Sequence, residues 1–436
     1  MFVYESYQYD VQPDGLHIVF SFRIGDHIEF HPTAFFPRRP FLSFDQPRAV
    51  MDALVFNIGM AELVSYWKSY CPPRVEVRCG ALTEGQVRFW KKLYYHGLGE
   101  FFYVNGIQAS QEEFMQIVSL GESSPVKESL PPLSRQNYLV PIGGGKDSVV
   151  TIELLQQALP QGMRPIPLIM NPRGATVGCA AAAGYATDEV LEIRRTIHPA
   201  LLEANAAGCL NGHTPFSAML AFYTLLASQL SGVANIALSN ENSANESTVA
   251  GSSVNHQYSK SLDFENDFRR YVAEYLSGDY NYFSFLRPLS ELQIAMLFSR
   301  EPKYFDVFRS CNAGSKQDVW CGRCAKCLFA YIILSPFIAP ERLEAIFGKN
   351  MLDDAEMQPF FDQLTGHAAT KPFECVGTVQ EVHSALSMTL QRWYPAQRPC
   401  LLADYRPVPP ATPLHTLFPD HNLSPREEAL LREAVQ

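Results

Sequence analysis

Positive charge is scarce in this 436-residue sequence: 35 Lys and Arg stand against 45 Asp and Glu, a formal net charge of -10 at pH 7. A nucleic-acid-binding protein normally presents a basic face, so this balance speaks against a nucleic-acid partner. Long apolar runs are lacking too. The longest, Leu328 to Ile338, is broken by Ser335 and Pro336 and is too short to span a bilayer, so no membrane insertion is expected. The first twenty residues carry Glu5, Asp10 and Asp14 where a secretory leader needs a basic start and an apolar core. A cytoplasmic protein is the expectation. Ten cysteines are too few at this length for a disulfide scaffold, and internal repeats and low-complexity tracts are absent.

What is present is globular. With 47% hydrophobic and 12% aromatic residues the chain has enough apolar material for two or three domains. Residues 1–125 alternate in the manner of strands, as in Leu16 to Phe22, turn helical over Val55 to Tyr70, and suggest an α+β domain. The aromatic segment Phe89 to Tyr103 reads first as core packing. Gly121 to Pro132, rich in Ser and Pro, reads as a linker. From 136 to about 345 apolar runs alternate with helical stretches, the pattern of βα units on a parallel sheet, with Pro165–Met170 and Ala234–Ser239 as strands. Residues 346–436 read as mostly helical, with a last helix from Ser424.

The sharpest local signal is Pro141-Ile-Gly-Gly-Gly-Lys-Asp-Ser148, lying between a strand that ends in Tyr138–Ile142 and a helix carrying Val149, Val150, Ile152, Leu154 and Leu155. Glycines let the backbone approach an anion, and a helix N-terminus offers unpaired N–H groups and partial positive charge. Gly143, Gly144, Gly145, Lys146, Asp147 and Ser148 are therefore candidate phosphate ligands. Asp147 separates Lys146 from Ser148, so the loop is not a Walker A motif. Ligands of open α/β sheets sit beyond the carboxyl ends of strands, which predicts that this loop, Asn171 to Gly174 and Asn240 to Glu246 converge. Glu241 and Glu246, in a polar run that continues to Ser247, suit Mg²⁺, a hard cation that prefers carboxylate oxygens.

Three further groups carry chemistry. His256, Tyr258 and Lys260 fall within five residues, and each can carry a proton when its environment tunes it. His213, in Asn211-Gly-His-Thr-Pro215, precedes a helix for which Thr214 is the expected N-cap and Pro215 the first residue; it suits a phosphate or substrate contact. Cys311, Cys321, Cys324 and Cys327 give a C-x9-C-x2-C-x2-C pattern suited to tetrahedral Zn²⁺, with Arg323 and Lys326 favouring the thiolates. Redox thiols and an iron–sulfur cluster are alternatives. Cys375 stands apart and reads as a small buried hydrophobe, with a catalytic thiol as the minor reading.

The glycine loop resembles the S-G-G-x-D-S loop of the ATP pyrophosphatases, with Gly143 where that pattern has its first Ser. Together with Gly212-His-Thr-Pro215 and Cys321-Gly-Arg-Cys-Ala-Lys-Cys327 it looks like an enzyme related to 7-cyano-7-deazaguanine synthase, which has a comparable four-cysteine zinc site. A finer match lies in Tyr95-His-Gly-Leu-Gly-Glu100, Gly143-Gly-Gly-Lys-Asp-Ser148, Leu210-Asn-Gly-His-Thr-Pro215, Glu241-Asn-Ser-Ala-Asn245 and Gln257-Tyr-Ser-Lys-Ser261. These are similar to the UDP-N-acetyl-α-D-muramoyl-L-alanyl-L-glutamate epimerase family, in which the glycine triplet is the usual form. The resemblance implies a pyrophosphate-loop, adenine nucleotide α-hydrolase-like catalytic domain. It implies ATP and Mg²⁺ as cofactors, a UDP-N-acetylmuramoyl-dipeptide as substrate, and release of AMP and diphosphate during peptidoglycan synthesis. It places ATP on Gly143 to Ser148, His213 and Glu241, and proton exchange on His256, Tyr258 or Lys260. Competing expectations are another adenylating enzyme of the superfamily, dependent on ammonia or sulfur, and a nucleotide-binding protein without catalysis.

Overall fold

The computed structural model of the chain describes residues 1–121, 127, 130–246, 255–409 and 413–436. The stretch read as a linker, Gly121 to Pro132, falls largely at 122–126 and 128–129 and so outside the described residues, as does Ser247. Among the described residues the protein is α/β, with eleven strands of a mixed sheet and fourteen α-helices. The strands are β1 Phe2–Gln12, β2 Gly15–Ile24, β3 Ile28–Phe30, β4 Thr33–Pro37, β5 Arg74–Val77, β6 Gln116–Ser119, β7 Ser134–Pro141, β8 Ile166–Met170, β9 Leu191–Thr196, β10 Val233–Leu238 and β11 Asn281–Ser284.

Contacts divide the chain into two compact units, each drawn from separate stretches. The first comprises Met1–Leu139, Leu191–Ile236 and Val254–Tyr282; the second comprises Val140–Val190, Ala237–Ser253 and Phe283–Gln436.

In the first unit the strand order is β9-β4-β2-β1-β5-β6, with β3 beside β2. β1 and β2 form an antiparallel hairpin closed at Gln12 and Gly15. Gly15 is required there, because a Cβ would lie 2.1 Å from the Phe36 carbonyl oxygen. Helix Arg48–Trp67 packs on this hairpin and on helix Phe216–Ser231. It is apolar and long enough to cross a membrane by length and composition, but 83% of its apolar window is buried inside the protein, as in a core helix. The aromatic segment forms helices Glu84–Gly97 and Gly99–Val104, with Trp90, Tyr94 and Phe101 fully buried. Phe89 stacks on Tyr271 at 4.2 Å, so these rings pack the core.

The order β11-β10-β7-β8 carries the chain to the glycine loop. β7 and β10 are parallel, as the alternation of strands and helices predicts, with Asn235 opposite Tyr138. Every residue of β10 is buried, which suits a strand covered on both faces. In the second unit helix Lys146–Ala158 packs against helices Glu291–Phe298 and Pro425–Ala434, and Ala325–Leu334 packs against Val379–Trp393. The terminal helix starts at the expected Ser424, whose backbone N–H donates to Glu427 Oε2 at 2.7 Å.

Candidate active site

In the second unit β7 delivers the chain to the three glycines, and Ile142 N–H donates to Leu168 O at 2.8 Å just before them. Gly144 has φ +84°, and a Cβ on it would lie 2.9 Å from Ala175 Cβ. The loop therefore lies directly against the start of helix Gly174–Ala182. Over Gly143 nothing stands within 4 Å of a Cβ position. Gly145 is the N-cap of helix Lys146–Ala158 and supplies no side-chain cap to its first turn. Ser148 Oγ donates back to Gly145 O at 3.0 Å.

Lys146 is buried, and its Nζ donates to the carboxylates of Asp147 and Glu291. Burial disfavours its charge, but Asp147 and Glu291 outweigh that penalty and raise its pKa, so it stays protonated. Glu291 is pushed the other way: burial raises its pKa, Lys146 opposes, and the Asp147 and Glu241 carboxylates add to the rise. Glu241 is buried, with Ser243 Oγ donating to its Oε1 at 3.1 Å, and its backbone oxygen accepts from the fully buried Arg287 at 2.6 Å. Glu381 Oε1 accepts the Glu291 N–H at 2.7 Å, and its Oε2 accepts the Thr378 N–H at 2.7 Å. Asp147, Glu241 and Glu291 thus share one neighbourhood with the loop and the Ala175 turn. Glu246 instead pairs with Lys371 at a half-exposed position.

Glu291 and Glu381 were not among the residues singled out from the sequence. Both lie in capping-box segments, Ser290-Glu-Leu-Gln293 and Thr378-Val-Gln-Glu381, which mark them only as first-turn residues of helices.

The four cysteines also fold together in the second unit, with all four sulfurs within 4.8 Å of one another. Cys311–Cys324 is 3.8 Å, Cys321–Cys327 3.7 Å and Cys324–Cys327 3.5 Å. A tetrahedron of thiolates at Zn–S distances of about 2.3 Å has edges of roughly 3.8 Å, so the spacing fits one tetrahedral ion. An iron–sulfur core would hold the sulfurs further apart. Lys326, expected beside the thiolates, donates to the Cys375 carbonyl.

The first unit gathers a different cluster. Lys68 caps the end of the core helix, Glu100 lies in the first turn of Gly99–Val104, and His213 sits in the turn before Phe216–Ser231. His256 and Lys260 come from the segment before helix Leu262–Tyr275. His256 Nδ1 is hydrogen-bonded to Glu100 Oε2, and His213 Nδ1 lies 3.7 Å from the same oxygen. The two imidazole rings are 4.4 Å apart. Lys68 Nζ donates to Gly212 O and, at 2.7 Å, to Thr214 Oγ1. Thr214 is therefore not the helix cap expected from the sequence: Pro215 holds the N-cap position, one residue later, and Thr214 serves Lys68.

Burial lowers His213 to about 3, helped by His256, Lys68 and Lys260. Burial also lowers Lys68 to about 8, with Glu100 opposing. Glu100, His213 and His256 offer ligand atoms within 4.8 Å of one another, yet Lys68 and Lys260 make the surroundings cationic and suit an anionic ligand better than a metal ion. Tyr258, from the same segment, is buried with its ring 5.0 Å from that of His96 and its hydroxyl pKa raised by burial. The sequence pointed to His213, His256 and Lys260. It gave no signal for Lys68, and Glu100 appeared only as the end of a matched motif.

Residues 1–285 match a family model described as the MurL N-terminal domain, and residues 307–412 one described as the MurL C-terminal domain. A protein of Xanthomonas oryzae pv. oryzae named UDP-N-acetyl-alpha-D-muramoyl-L-alanyl-L-glutamate epimerase is 36% identical over 393 residues, covering 88% of this chain and 84% of the relative. A Micromonospora protein of the same name is 37% identical, covering 78% of this chain and 77% of the relative. One from Salinispora tropica is 36% identical, covering 74% and 70%. No solved structure matches.

Proposed function

Since the chain belongs to the MurL family, whose N-terminal model alone matches residues 1–285, we propose that it epimerises the terminal L-Glu of UDP-N-acetylmuramoyl-L-Ala-L-Glu to D-Glu in peptidoglycan synthesis. The relatives named for this activity, alike over most of their length, support the reading.

Elementary chemistry gives a reason for such a reaction to draw on ATP. An α proton beside a carboxylate is weakly acidic, because the carbanion would form next to a full negative charge. In the proposed route a carboxylate oxygen of the glutamyl residue attacks the α phosphorus of ATP, and diphosphate leaves. The acyl-adenylate has lost the carboxylate charge, so its carbonyl can accept the electron pair when a base takes the α proton. An acid returns a proton to the opposite face, and water then releases AMP.

The single observation that carries the ATP assignment is Lys146: a buried ammonium, paired with two carboxylates, at the first turn of a helix that follows three glycines. Gly143 to Ser148 would cradle the phosphates, and Lys146 would stabilise charge developing on the departing diphosphate. Asp147 and Glu241 would hold Mg²⁺, which neutralises phosphate charge when bound. His213, lying beside Glu100 and His256, belongs in this reading with proton handling and not with ATP. The cysteine cluster would hold a structural Zn²⁺. A cytoplasmic setting, where ATP is available, suits this scheme.

The test is to incubate the protein with ATP, Mg²⁺ and UDP-N-acetylmuramoyl-L-Ala-L-Glu, and to assay AMP and, after acid hydrolysis of the product, the chirality of its glutamate. D-Glu formation that depends on ATP is expected. AMP without D-Glu would remove the epimerase assignment, and D-Glu without AMP would remove the adenylate.

A further inference from the structure

We propose that Asp318, carried on the loop between Cys311 and Cys321, is a positioning residue of the nucleotide site: its carboxylate sets the start of helix Gly174–Ala182 against the glycine loop. The inference rests on the ATP reading above and deepens it. Every residue it uses belongs to the second unit.

Gly144 is the residue to be held. Its φ is +84°, and its place is fixed from two sides. On one side stands the first turn of helix Gly174–Ala182, with 2.9 Å between a Cβ on Gly144 and Ala175 Cβ and 3.0 Å to Thr176 N. On the other, Arg309 N–H donates to the Gly144 carbonyl at 2.7 Å, and a Cβ on Gly145 would lie 3.4 Å from Ser310 Cβ. Ser310 is followed at once by Cys311. Three glycines have no side chains to lock their own shape and lose the most conformational freedom on ordering, so a loop that is to receive phosphate has to be held by its neighbours.

The helix start needs holding in its turn. Arg173 stands at its N-cap, where a side-chain oxygen usually accepts a first-turn N–H, and arginine has none. The acceptor comes from elsewhere: Asp318 Oδ1 takes the Ala175 N–H at 2.7 Å, across 143 residues. The rest of the carboxylate fills the space over Gly174, since a Cβ there would lie 2.1 Å from Oδ2 and 2.6 Å from Cγ. Gly174 is thus a glycine because Asp318 needs the room. A negative charge also suits the positive end of a helix.

Asp318 is itself held in place. Its φ of 56° lies in the left-handed region that L-residues rarely enter, although Asp tolerates it better than most. The turn is closed by Gly314, whose carbonyl accepts the Gln317 N–H at 3.2 Å and the Val319 N–H at 3.1 Å, and whose own N–H donates to Cys311 Sγ at 3.2 Å. The cysteine cluster therefore reaches the glycine loop by two routes, through Ser310 and through Asp318. A strained backbone that delivers one specific contact points to a function for that contact.

The experiment titrates the full-length, zinc-loaded protein with ATP and Mg²⁺ by calorimetry and follows zinc content and Tm in parallel. Asp318→Gly removes the acceptor but suits the left-handed backbone. It is expected to raise the Kd for ATP about tenfold, the size of an ordinary coupling between sites, with zinc content unchanged and Tm lower by only about 2–4 °C. Asp318→Asn keeps an acceptor and tolerates the same φ, and should bind ATP within about threefold of wild type. Gly174→Ala expels the carboxylate from the other side and should weaken ATP binding as Asp318→Gly does. In the Asp318→Gly background it should add nothing, because the atoms it meets are gone. A merely structural cap would lower Tm and leave the Kd alone. An unchanged Kd or tighter binding in Asp318→Gly, equal weakening in Asp318→Asn, or loss of ATP binding together with zinc would each overturn the inference. A wild-type protein that binds no ATP would instead remove the ATP reading, and the inference with it.

Discussion

Lys146, the first residue of its helix, donates to the buried carboxylate of Glu291, 145 residues further along the chain. The pairing means that the cation of the glycine loop is set by another helix start, Ser290–Gln293, as well as by its own chain neighbour Asp147. A cation held this firmly suits a fixed electrostatic role toward phosphate and not a titrating one.

Replacing Lys146 with Ala should abolish diphosphate release while the protein still folds. Glu291, already raised by burial, then takes up a proton in place of the lost partner. That limits the stability loss to roughly 1–3 kcal/mol. Asp147→Ala should likewise abolish release. Diphosphate assays paired with urea melts check both, and full activity in either variant would refute the loop assignment.

The glycines of the loop should differ in tolerance. Gly144→Ala puts a Cβ 2.9 Å from Ala175 Cβ at φ +84° and should cost about 1–2 kcal/mol and most of the diphosphate release. Gly143→Ala meets nothing within 4 Å and should leave stability unchanged. Thermal melts of the two variants side by side decide this.

Metal analysis of the purified protein should find one zinc per chain, bound by Cys311, Cys321, Cys324 and Cys327. Cys327→Ser should lower the zinc content and the Tm together, because Cys327 lies in the first turn of the buried helix Ala325–Leu334. A zinc-free protein with unchanged Tm on chelator treatment would sink the assignment.

Acid should weaken the first unit through His213. Its folded pKa of about 3 lies below the ordinary imidazole value of 6.5, so on acidification the unfolded chain binds a proton that the folded one refuses. Stability is therefore lost as pH falls from about 6.5 toward 3, by up to about 1.4 kcal/mol per pH unit from this group. His213→Asn should show a shallower decline between pH 7 and pH 4.5 in urea melts. An identical decline in both proteins would contradict the assignment.

Much of this site was legible because the sequence writes it locally. Gly143 to Ser148 stand in a row between a strand and a helix, three of the four cysteines lie in seven positions, and the Ser424 cap marks the last helix. Lys68, Glu100 and Glu291 were not legible, because each is a lone charge in or beside a helix whose neighbours serve packing. Only folding brings Lys68 to Thr214, or Glu100 to His256, across separations of 146 and 156 residues. Thr214 shows the finer limit: a Thr-Pro before an apolar helix fits a cap equally well at either residue, and the helix took the later one because Lys68 claims the hydroxyl. The compact units are likewise built from separate stretches, which composition along the chain does not report.

The Glu381 carboxylate that receives the Glu291 N–H also sets a timetable. On the ribosome the glycine loop emerges well before Glu291, and Glu291 well before Glu381. A nascent chain that has passed residue 148 thus holds every residue of the glycine loop but neither Glu291, the distant partner of its lysine, nor the group that steadies that partner. The proposed nucleotide site of the second unit would therefore be complete only when synthesis has nearly finished, and fragments cut short before helix Val379–Trp393 are expected to release no diphosphate.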